Sequence, residues 1–391
     1  MTSAAPVAAF YTPLKDPEAR EASGDREIAR ALVSSLANAG FSPELASRLL
    51  TWRRAFDPAE AVRLGQLAAL TAARLVSRYR RRPPAGRPVV WVTYQNYHRC
   101  PDLLGPTVAT ALGLPYVLVD TAVSWKPRQT TFRPWLSASR LALRRADLVF
   151  PMSPRDVPRL ARLRGAAFAR ERIRLLHPAV DTERYRAAAA GRAGLRRTLL
   201  GAEAPGTPLI LCVAMMRTAD KLDSYRLLAK GLGHLQATRP DQPWRLVVAG
   251  AGPARPQVEA AFADLPASRV QLLGALPPAE LPPLYAAADL FAFPGLGEAL
   301  GLVYLEAAAA GCPVVACHGP GPAAMVAPQG GVLVEPSATA YAGALRTLLD
   351  DATERARMSV AARRFARVER SLGVFHQTLA DGLRLVVPHR S

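Results

Sequence analysis

The sequence predicts an α/β protein of two doubly wound, Rossmann-like domains that face each other across a cleft. At 391 residues the chain is longer than one hydrophobic core usually supports, so two domains are expected. Its apolar runs do not alternate with polar residues, which is typical of strands that are buried on both faces. Helical segments separate these runs, and this order favours parallel strands joined by crossover helices. We place the domains at 1–176 and 177–365, with a terminal helix in 366–391 that crosses back to the first domain.

The first series of elements opens as a βαβ unit. The apolar run 6–13 predicts a buried strand. The helix predicted over 23–40 has Ser23 as its cap and Gly40 at its end, so both helix-end signals are present. The remaining predicted elements of this half are a long amphipathic helix with a basic end (56–82), strand 87–94, helix 101–113, strand 115–120, a helix around 134–145 and strand 146–153.

The second series repeats this alternation. Its predicted strands are 208–216, 244–250, 269–275, 289–295, 313–317 and 330–336, and its predicted helices lie around 223–238, 254–263, 278–288 and 301–311. In open α/β sheets, ligands bind outside the carboxyl ends of the strands. We therefore expect the functional residues in loops 13–24, 94–101, 120–130, 216–223, 250–254 and 294–301.

The formal charge of +19 raises nucleic acid or an anionic membrane as a partner. The cations are spread along the chain, and their densest cluster, 77–84, contains no aromatic residue except Tyr79. This distribution disfavours nucleic-acid binding. Peripheral contact of helix 56–82 with an anionic membrane stays open, beside the alternative that this helix simply has a solvated outer face.

The four cysteines match no zinc pattern, and we expect buried, reduced thiols and no metal site. The N-terminus lacks the charged and apolar regions of a secretion signal. The longest apolar run is interrupted by Glu306, so no membrane span is predicted. These features favour a cytoplasmic protein, with a peripheral position at the inner face of the membrane as the open alternative.

Two carboxylates stand out in the stretch GLGEALGLVYLEAAAAGCPVVAC (295–317). Glu298 follows a strand in a loop that contains Gly295, Gly297 and Gly301, where glycine permits positive φ and close approach to a ligand. The next helix begins with the free amides of Gly301, Leu302 and Val303, which form an anion site suited to a diphosphate. Glu306 lies among apolar residues in the same helix and needs a ligand or a hydrogen-bond partner.

Cations and a second glycine turn accompany this loop. Arg217 and Lys221 follow strand 208–216, where they could neutralise a diphosphate. The turn VVAGAGP (247–253) contains Gly250 and Gly252 but is not GxGxxG, which disfavours a dinucleotide cofactor. A molecule with a diphosphate between two hydroxyl-rich ends is a nucleotide sugar, and the predicted cations and carboxylates suit such a ligand.

Residues 173–365 resemble the donor-binding domain of the family 4 retaining glycosyltransferases, which have the GT-B fold. The resemblance rests on HPAVDTERY (177–185), the Arg217 and Lys221 pair, VVAGAGP (247–253), LYAAADLFAFPG (284–295), and the two glutamates separated by seven residues. The first half shares only the general pattern of an acceptor domain.

The resemblance implies a role for each residue of the site. Arg217 and Lys221 would bind the donor diphosphate with the amides of 301–303, Glu298 would contact the donor sugar, and Glu306 would hold the ribose. Glu298, Arg217 and Lys221 are then the catalytic residues. Gly250, Gly252, Gly295 and Gly297 belong to the predicted donor site. The family transfers a hexose to a glycan, lipid-linked or other hydroxyl acceptor with retention, and the implied reaction requires no metal or other cofactor.

The acceptor side is less defined. Ser23, Gly24 and Asp25 begin the first helix and are candidates for acceptor contact, as are Asp120 and Thr121 after strand 115–120. His98 is a further candidate, with a structural role as its alternative. The segment 317–326 lacks the family's usual acidic residue, and no histidine stands where the family often has one in the first domain. An inactive GT-B scaffold that binds a nucleotide sugar or a protein partner is therefore the alternative function.

Overall fold

The computed structural model describes residues 5–18, 23–121, 132–201 and 206–387. These residues fall into two compact units, which we call the first and the second unit. The first unit is drawn from Met1–Pro178 and Gly373–Ser391, and the second from Ala179–Leu372. The boundaries predicted from the sequence are after 176 and 365, and those between the two compact units are after Pro178 and Leu372.

The sheet of the first unit has five strands in the order β2-β1-β3-β4-β5, and all neighbours are parallel. The strands are β1 (Val7–Tyr11), β2 (Ser42–Ser47), β3 (Pro88–Asn96), β4 (Tyr116–Thr121) and β5 (Leu148–Phe150). The helices are α1 (Gly24–Asn38), α2 (Pro58–Arg81), α3 (Gly105–Leu112), α4 (Arg133–Arg145), α5 (Asp156–Arg164), α6 (Ala166–Arg172) and, from the end of the chain, α16 (Leu372–Leu383). Within this unit Nδ1 of His376 on α16 lies 2.6 Å from Oγ of Ser35 on α1.

Several elements of the first unit differ from their predicted bounds for local reasons. Strand β2 was not predicted, because its sequence SPELAS lacks an apolar run; it is a partly exposed edge strand, where a proline is tolerated. Helix α3 begins later than predicted because Oδ1 of Asp102 accepts the amides of Leu104 and Gly105, at 2.9 and 2.8 Å. Strand β5 is followed by Pro151, which has no amide to donate.

The sheet of the second unit has six parallel strands in the order β11-β10-β9-β6-β7-β8. They are β6 (Leu209–Val213), β7 (Arg245–Ala249), β8 (Val270–Gly274), β9 (Leu290–Ala292), β10 (Val314–Cys317) and β11 (Gly331–Val334). The helices are α7 (Thr182–Ala188), α8 (Arg192–Leu200), α9 (Asp220–Thr238), α10 (Arg255–Phe262), α11 (Leu281–Ala287), α12 (Leu302–Ala310), α13 (Pro320–Met325), α14 (Ala338–Asp350) and α15 (Ala352–Glu369). Both sheets are parallel and covered by helices, which confirms the predicted fold class of two doubly wound, Rossmann-like domains.

The core of each unit surrounds its sheet. Trp91 and Tyr116 are fully buried in the first unit, and Trp244 and Tyr225 in the second. Helix α13 occupies part of segment 317–326, where no element was predicted, and Pro320 stands at its first position, which a proline favours. The four cysteines are free and buried, as predicted.

Candidate functional site

The second sheet changes direction between β6 and β9. These strands are neighbours, but the chain continues from β6 toward β7 and from β9 toward β10, on the other side. The two loops at their carboxyl ends therefore diverge, and ligands of doubly wound sheets bind in the crevice that such loops form. The loop after β6 contains Arg217, and the loop after β9 contains Glu298. The predicted catalytic residues thus come from the two strands at the switch point.

Lys221 and Glu298 form an ion pair at this crevice. Nζ of Lys221, in the first turn of α9, donates to Oε2 of Glu298. The same Nζ lies 4.9 Å from the centre of the Phe293 ring. The two side chains keep 24% and 17% of their surface exposed. A pair with this much solvent contact is held only weakly, so an incoming charged ligand can take over either partner.

The glycines after β9 have no side chain, and neighbouring side chains of the protein occupy the space that a Cβ would need. Gly295, Gly297 and Gly301 have φ values of +70°, +65° and +75°. A Cβ at Gly295 would lie 1.9 Å from the hydroxyl of Tyr304, and one at Gly297 would lie 2.1 Å from Oδ2 of Asp220. Larger residues are therefore excluded by internal packing, and this packing fixes the loop that carries Glu298.

Gly250 and Gly252 have a similar packing role beside β6. A Cβ at Gly250 would lie 1.9 Å from the carbonyl oxygen of Ala214, and one at Gly252 would lie 2.3 Å from that of Met216. The amide of Met216 donates to the carbonyl of Ala251 at 2.9 Å. This close backbone contact positions the loop that leads to Arg217.

The first backbone amides of α12 have no hydrogen-bond acceptor within their own helix. Gly301 is the N-cap residue in the left-handed conformation, and the amide of Tyr304 donates to the carbonyl of Gly301 at 3.1 Å. The preceding amides, of Leu302 and Val303, have no acceptor within the helix, as in every helix N-terminus. These groups and the helix dipole favour an anion at this end.

Glu306 has the hydrogen-bond partner that its apolar surroundings require. The hydroxyl of Tyr285 donates to Oε2 of Glu306 at 2.8 Å. Tyr285 is fully buried, and burial together with the charge of Glu306 raises the pKa of its phenol. The phenol therefore stays protonated and holds one side of the carboxylate.

Arg217 lies exposed in the loop after β6, and its side chain has no ion-pair partner among the residues that the structure describes. The loop ends at Ala219, which precedes α9 with φ of +62° although it is not glycine. The hydroxyl of Ser224 accepts the amide of Leu296 at 2.9 Å and so joins α9 to the loop after β9. The sequence contained no signal for this connection.

An anchor beneath the site was also missed. Asp289, just before β9, accepts from Arg196 at 2.5 Å, from Arg192 at 2.8 Å and from the amide of Leu209 at 2.8 Å. It therefore joins α8 to the amino ends of β6 and β9. Its only signal in the sequence is a lone acid between buried alanines and a buried strand.

In the first unit the predicted cap residue has a different partner. Ser23 is the N-cap residue of α1, but its side chain does not cap the helix. Instead, Nζ of Lys15 donates to Oγ of Ser23 and to Oδ2 of Asp25, at 2.6 Å each. Gly24 is the first residue of α1 and brings these two side chains to the carboxyl end of β1.

The side-chain amide of Gln95, which was not predicted as a site residue, bridges Asp120 and Asp25. Nε2 of Gln95, at the end of β3, is 3.2 Å from Oδ1 of Asp25 and 3.4 Å from Oδ2 of Asp120. Gln95 and Asp120 have φ values of +76° and +55°. Burial raises the pKa of Asp120 to about 6, and the charges of Asp25 and Asp156 contribute. A polar residue after the buried run VVWVTY was the available signal for Gln95.

Thr121 and His98 do not join this group. The hydroxyl of Thr121 donates to the carbonyl of Asn96 at 2.9 Å and is buried. His98 packs its ring against Tyr97 and Phe132, with centroid distances of 5.9 and 5.8 Å. Burial and the charge of Arg99 lower the pKa of His98. These contacts agree with the structural alternative for this histidine.

Comparison with known proteins identifies the relatives of this chain. A family model described as glycosyl transferases group 1 matches residues 207–351. A GDP-mannose-dependent alpha-(1-6)-phosphatidylinositol monomannoside mannosyltransferase of Mycolicibacterium smegmatis is 33% identical over 282 residues, which cover 68% of each chain. This chain belongs to the group 1 glycosyltransferases.

Other similarities are more partial. A D-inositol 3-phosphate glycosyltransferase of Corynebacterium glutamicum is 34% identical over 205 residues, and the match spans 48% of that protein and 50% of this chain. The glycosyltransferase chain also superposes on HepE of Anabaena, solved in complex with UDP, with a TM-score of 0.67 over 97% of this chain and 99% of that one. Their sequences are 17% identical, so this likeness concerns the fold.

The described residues of this glycosyltransferase contain neither a membrane-spanning helix nor a metal-binding cluster. No helix there is long and apolar enough to cross a membrane. No group of three or more histidine, cysteine, aspartate or glutamate residues there is arranged to hold a metal ion.

Proposed function

We propose that this protein transfers a hexose from a nucleotide diphosphate sugar to a hydroxyl of a glycan or lipid-linked acceptor, with retention of the anomeric configuration. The observation that carries the proposal is the Lys221–Glu298 pair at the switch point between β6 and β9. The names of the relatives support the reaction class, since one uses GDP-mannose and another acts on an inositol phosphate. The fold neighbour solved with UDP makes a uridine donor the other candidate.

The donor diphosphate would replace Glu298 as the partner of Lys221. Its negative charge is larger than that of one carboxylate, and the exposed Arg217 offers a second cation with two-pronged donors. The first amides of α12 would complete the anion site. Glu298, released from the lysine, would then accept hydrogen bonds from hydroxyls of the donor sugar.

The remaining donor contacts and the transfer step follow from this arrangement. Glu306 would hold the ribose hydroxyls, since the Tyr285 phenol already orients its carboxylate. In the retaining reaction, the leaving phosphate would accept the proton of the attacking hydroxyl on the same face of the sugar. No carboxylate base is then required, unlike the carboxylate pair of a glycosidase. Assignment of the product anomer by NMR tests retention.

The proposal includes no metal ion. Arg217, Lys221 and the helix end would offset the charge that develops on the diphosphate. Transfer should therefore persist in excess EDTA. A loss of transfer that Mg²⁺ restores would contradict this part of the proposal.

A peripheral membrane contact would bring the protein to a lipid-linked acceptor. Helix α2 exposes Val62, Leu67 and Leu70 to 62%, 48% and 59%, and its last turn is basic. Apolar and cationic side chains on one outer face favour an anionic lipid surface. Sedimentation with phosphatidylglycerol vesicles at low salt tests this contact, with uncharged phosphatidylcholine vesicles as the control. The membrane contact would be contradicted if the protein sedimented equally with both types of vesicle, or with neither type.

The decisive experiment is a thermal-shift series with UDP, GDP and ADP and their hexose conjugates. A ligand that binds only the folded protein raises the melting temperature by mass action. We expect one base to give a clear shift, and Arg217→Ala to abolish it. Arg226→Ala, a surface arginine on α9, is the matched control and should leave the shift unchanged. A shift without transfer to any acceptor would favour the inactive scaffold, and no shift in a folded sample would contradict the donor site.

A further inference from the structure

The first unit contains a polar cluster that the proposed donor site does not explain. We use "amide cluster" for Asp25, in the first turn of α1, which follows β1, together with Gln95 and Asp120, at the carboxyl ends of β3 and β4. In the order β2-β1-β3-β4-β5 the sheet changes direction between β1 and β3, so the amide cluster lies at the switch point of this sheet. That is where a doubly wound sheet binds its ligand.

The orientation of the Gln95 amide follows from its neighbours. Its Nε2 lies between two carboxylate oxygens, at 3.2 and 3.4 Å, whereas the reverse orientation would bring three oxygens together. Oε1 therefore points away from both carboxylates. It is buried and has no hydrogen-bond partner among the described residues, and Gln95 as a whole is only 4% exposed.

A second unsatisfied group lies in the same part of the sheet. The hydroxyl of the fully buried Tyr94 also lacks a partner among the described residues. Burial and the charges of Asp120 and Asp25 raise the pKa of this phenol, so it stays protonated as a donor. An unpaired buried polar group costs about 1–3 kcal/mol. Both groups therefore lack, among the described residues, the partner that a ligand would supply.

The backbone of the amide cluster is also strained. Gln95 and Asp120 both have positive φ, which is uncommon for residues other than glycine. Strained residues persist where the surrounding structure holds them, and they concentrate at binding sites. Here the strain places two polar side chains of adjacent strands on one edge.

The chemistry of the amide cluster defines the ligand. The carboxylates and Oε1 accept hydrogen bonds, and the Tyr94 hydroxyl is the donor beside them, because both hydrogens of Nε2 already face Asp25 and Asp120. This set suits hydroxyl groups, which both donate and accept. Among the described residues, the ammonium in contact is that of Lys15, and its single positive charge is exceeded by the two carboxylates of the cluster. A phosphate would face two carboxylates and a carbonyl oxygen. The aromatic rings of Tyr97 and the partly exposed Trp52 lie in the adjoining loops and offer apolar surfaces to a sugar ring.

We propose that Asp25, Gln95 and Asp120 form an acceptor subsite for adjacent hydroxyl groups of an uncharged sugar or polyol, and that the subsite rejects a phosphate at that position. The inference rests on the proposed transferase function, because it names the class of acceptor. It predicts that charged and uncharged forms of one polyol are bound differently.

The test measures binding to the full chain by isothermal titration. The probes are methyl α-mannoside, methyl α-glucoside and myo-inositol, each compared with mannose 6-phosphate, glucose 6-phosphate or inositol 3-phosphate. We expect at least one uncharged probe to bind about tenfold more tightly than its phosphate ester. We expect Gln95→Met, which keeps the length of the side chain, to weaken that binding about tenfold or more. Gln66→Met, at an exposed position of α2, is the matched control and should change nothing.

The outcomes separate this inference from the proposed function. Thermal shift with a nucleotide reports the donor site of the second unit, and the polyol titration reports the amide cluster. A nucleotide shift together with polyol binding that Gln95→Met leaves unchanged would overturn only the inference. Binding of no uncharged probe, or tighter binding of the phosphate esters, would also overturn it. If Gln95→Met does not fold, Asp120→Asn serves instead and should narrow the preference for the uncharged probe by about tenfold.

Discussion

The two units use opposite ways of presenting polar groups at the carboxyl ends of their sheets. In the second unit the carboxylates already have partners, Glu298 in Lys221 and Glu306 in Tyr285. In the first unit Gln95 leaves an acceptor without a partner among the described residues. In a site of the first kind, a ligand binds by replacing the partner of a carboxylate or of a cation. In our proposal, a site of the second kind is completed by its ligand.

The backbone shows a weaker contrast. Beside the site of the second unit, Gly250 and Gly295 have positive φ with little strain because they are glycines, although Ala219 also has φ of +62°. The first unit holds positive φ at Gln95 and Asp120, where a side chain is required and strain is the consequence. Packing thus fixes the glycine loops of the second unit, whereas in our proposal the strain in the amide cluster serves to place its side chains.

The largest expected effect comes from breaking a glycine contact of the second unit. Gly250→Ala would place a Cβ 1.9 Å from the carbonyl oxygen of Ala214, at a φ of +154°. Since backbone atoms cannot move aside cheaply, we expect the free energy of unfolding to fall by about 3 kcal/mol or more. Urea denaturation measures this value.

The matched control for Gly250→Ala is Gly343→Ala, in α14 of the same unit. A Cβ there has open space, so the better helix propensity of alanine should raise the free energy of unfolding by about 0.5–1 kcal/mol. Equal destabilisation by the two variants would show that the close backbone contact does not fix this loop.

The next effect concerns activity. Glu298→Gln keeps the size of the side chain but removes the charge that pairs with Lys221 and, in our proposal, receives donor hydroxyls. We expect the transfer rate to fall by about a hundredfold while nucleotide binding stays within a few-fold. Glu259→Gln, at an exposed pair on α10, should leave the rate unchanged. A rate for Glu298→Gln close to that of the wild type would remove Glu298 from the site.

The sequence predicted the second site better than the first for a physical reason. Glycine turns and a helix start are local patterns, so the loop around Glu298 could be identified from residues 295–306 alone. The contact of Glu298 with Lys221 joins residues far apart in the chain and could not. Gln95 was not predicted because two of its features, an oxygen without a partner among the described residues and a positive φ, cannot be read from the residue type.

The fold was predictable to a similar degree. Buried parallel strands have a strong signature, and every strand predicted in either half is present. Strand β2 has no such signature because it lies at an exposed edge, where polar residues and a proline are tolerated. Helix α13 was missed because its sequence, PGPAAM, contains two prolines and a glycine.

A smaller effect is expected from the charge of the amide cluster. Burial raises the pKa of Asp120 to about 6, above the value of about 3.9 for an unperturbed aspartate. Between these values the folded protein binds more protons than the unfolded chain, so stability falls as the pH rises through about 6. Asp120→Asn should therefore raise the free energy of unfolding at pH 7.5 by about 1–2 kcal/mol and change little at pH 3.5.

Urea denaturation at both pH values measures this difference. Asp241→Asn, at an exposed site of the second unit, is the control and should have no effect at either pH. A loss of stability for Asp120→Asn at pH 7.5 would mean that the aspartate is paired in the free protein, and the contrast between the units would then disappear.

The last comparison is the most direct, because the same change is made in each unit. Tyr285 and Tyr94 are both fully buried, but only the hydroxyl of Tyr285 has a partner, Glu306, among the described residues. Tyr285→Phe should lower the free energy of unfolding by about 1–2 kcal/mol, since it leaves a carboxylate oxygen without its donor. Tyr94→Phe should be neutral or slightly stabilising, since it removes an unsatisfied group. If both variants lowered the free energy of unfolding equally, the Tyr94 hydroxyl would already have a hydrogen-bond partner in the free protein. The first unit would then need no ligand to satisfy this group.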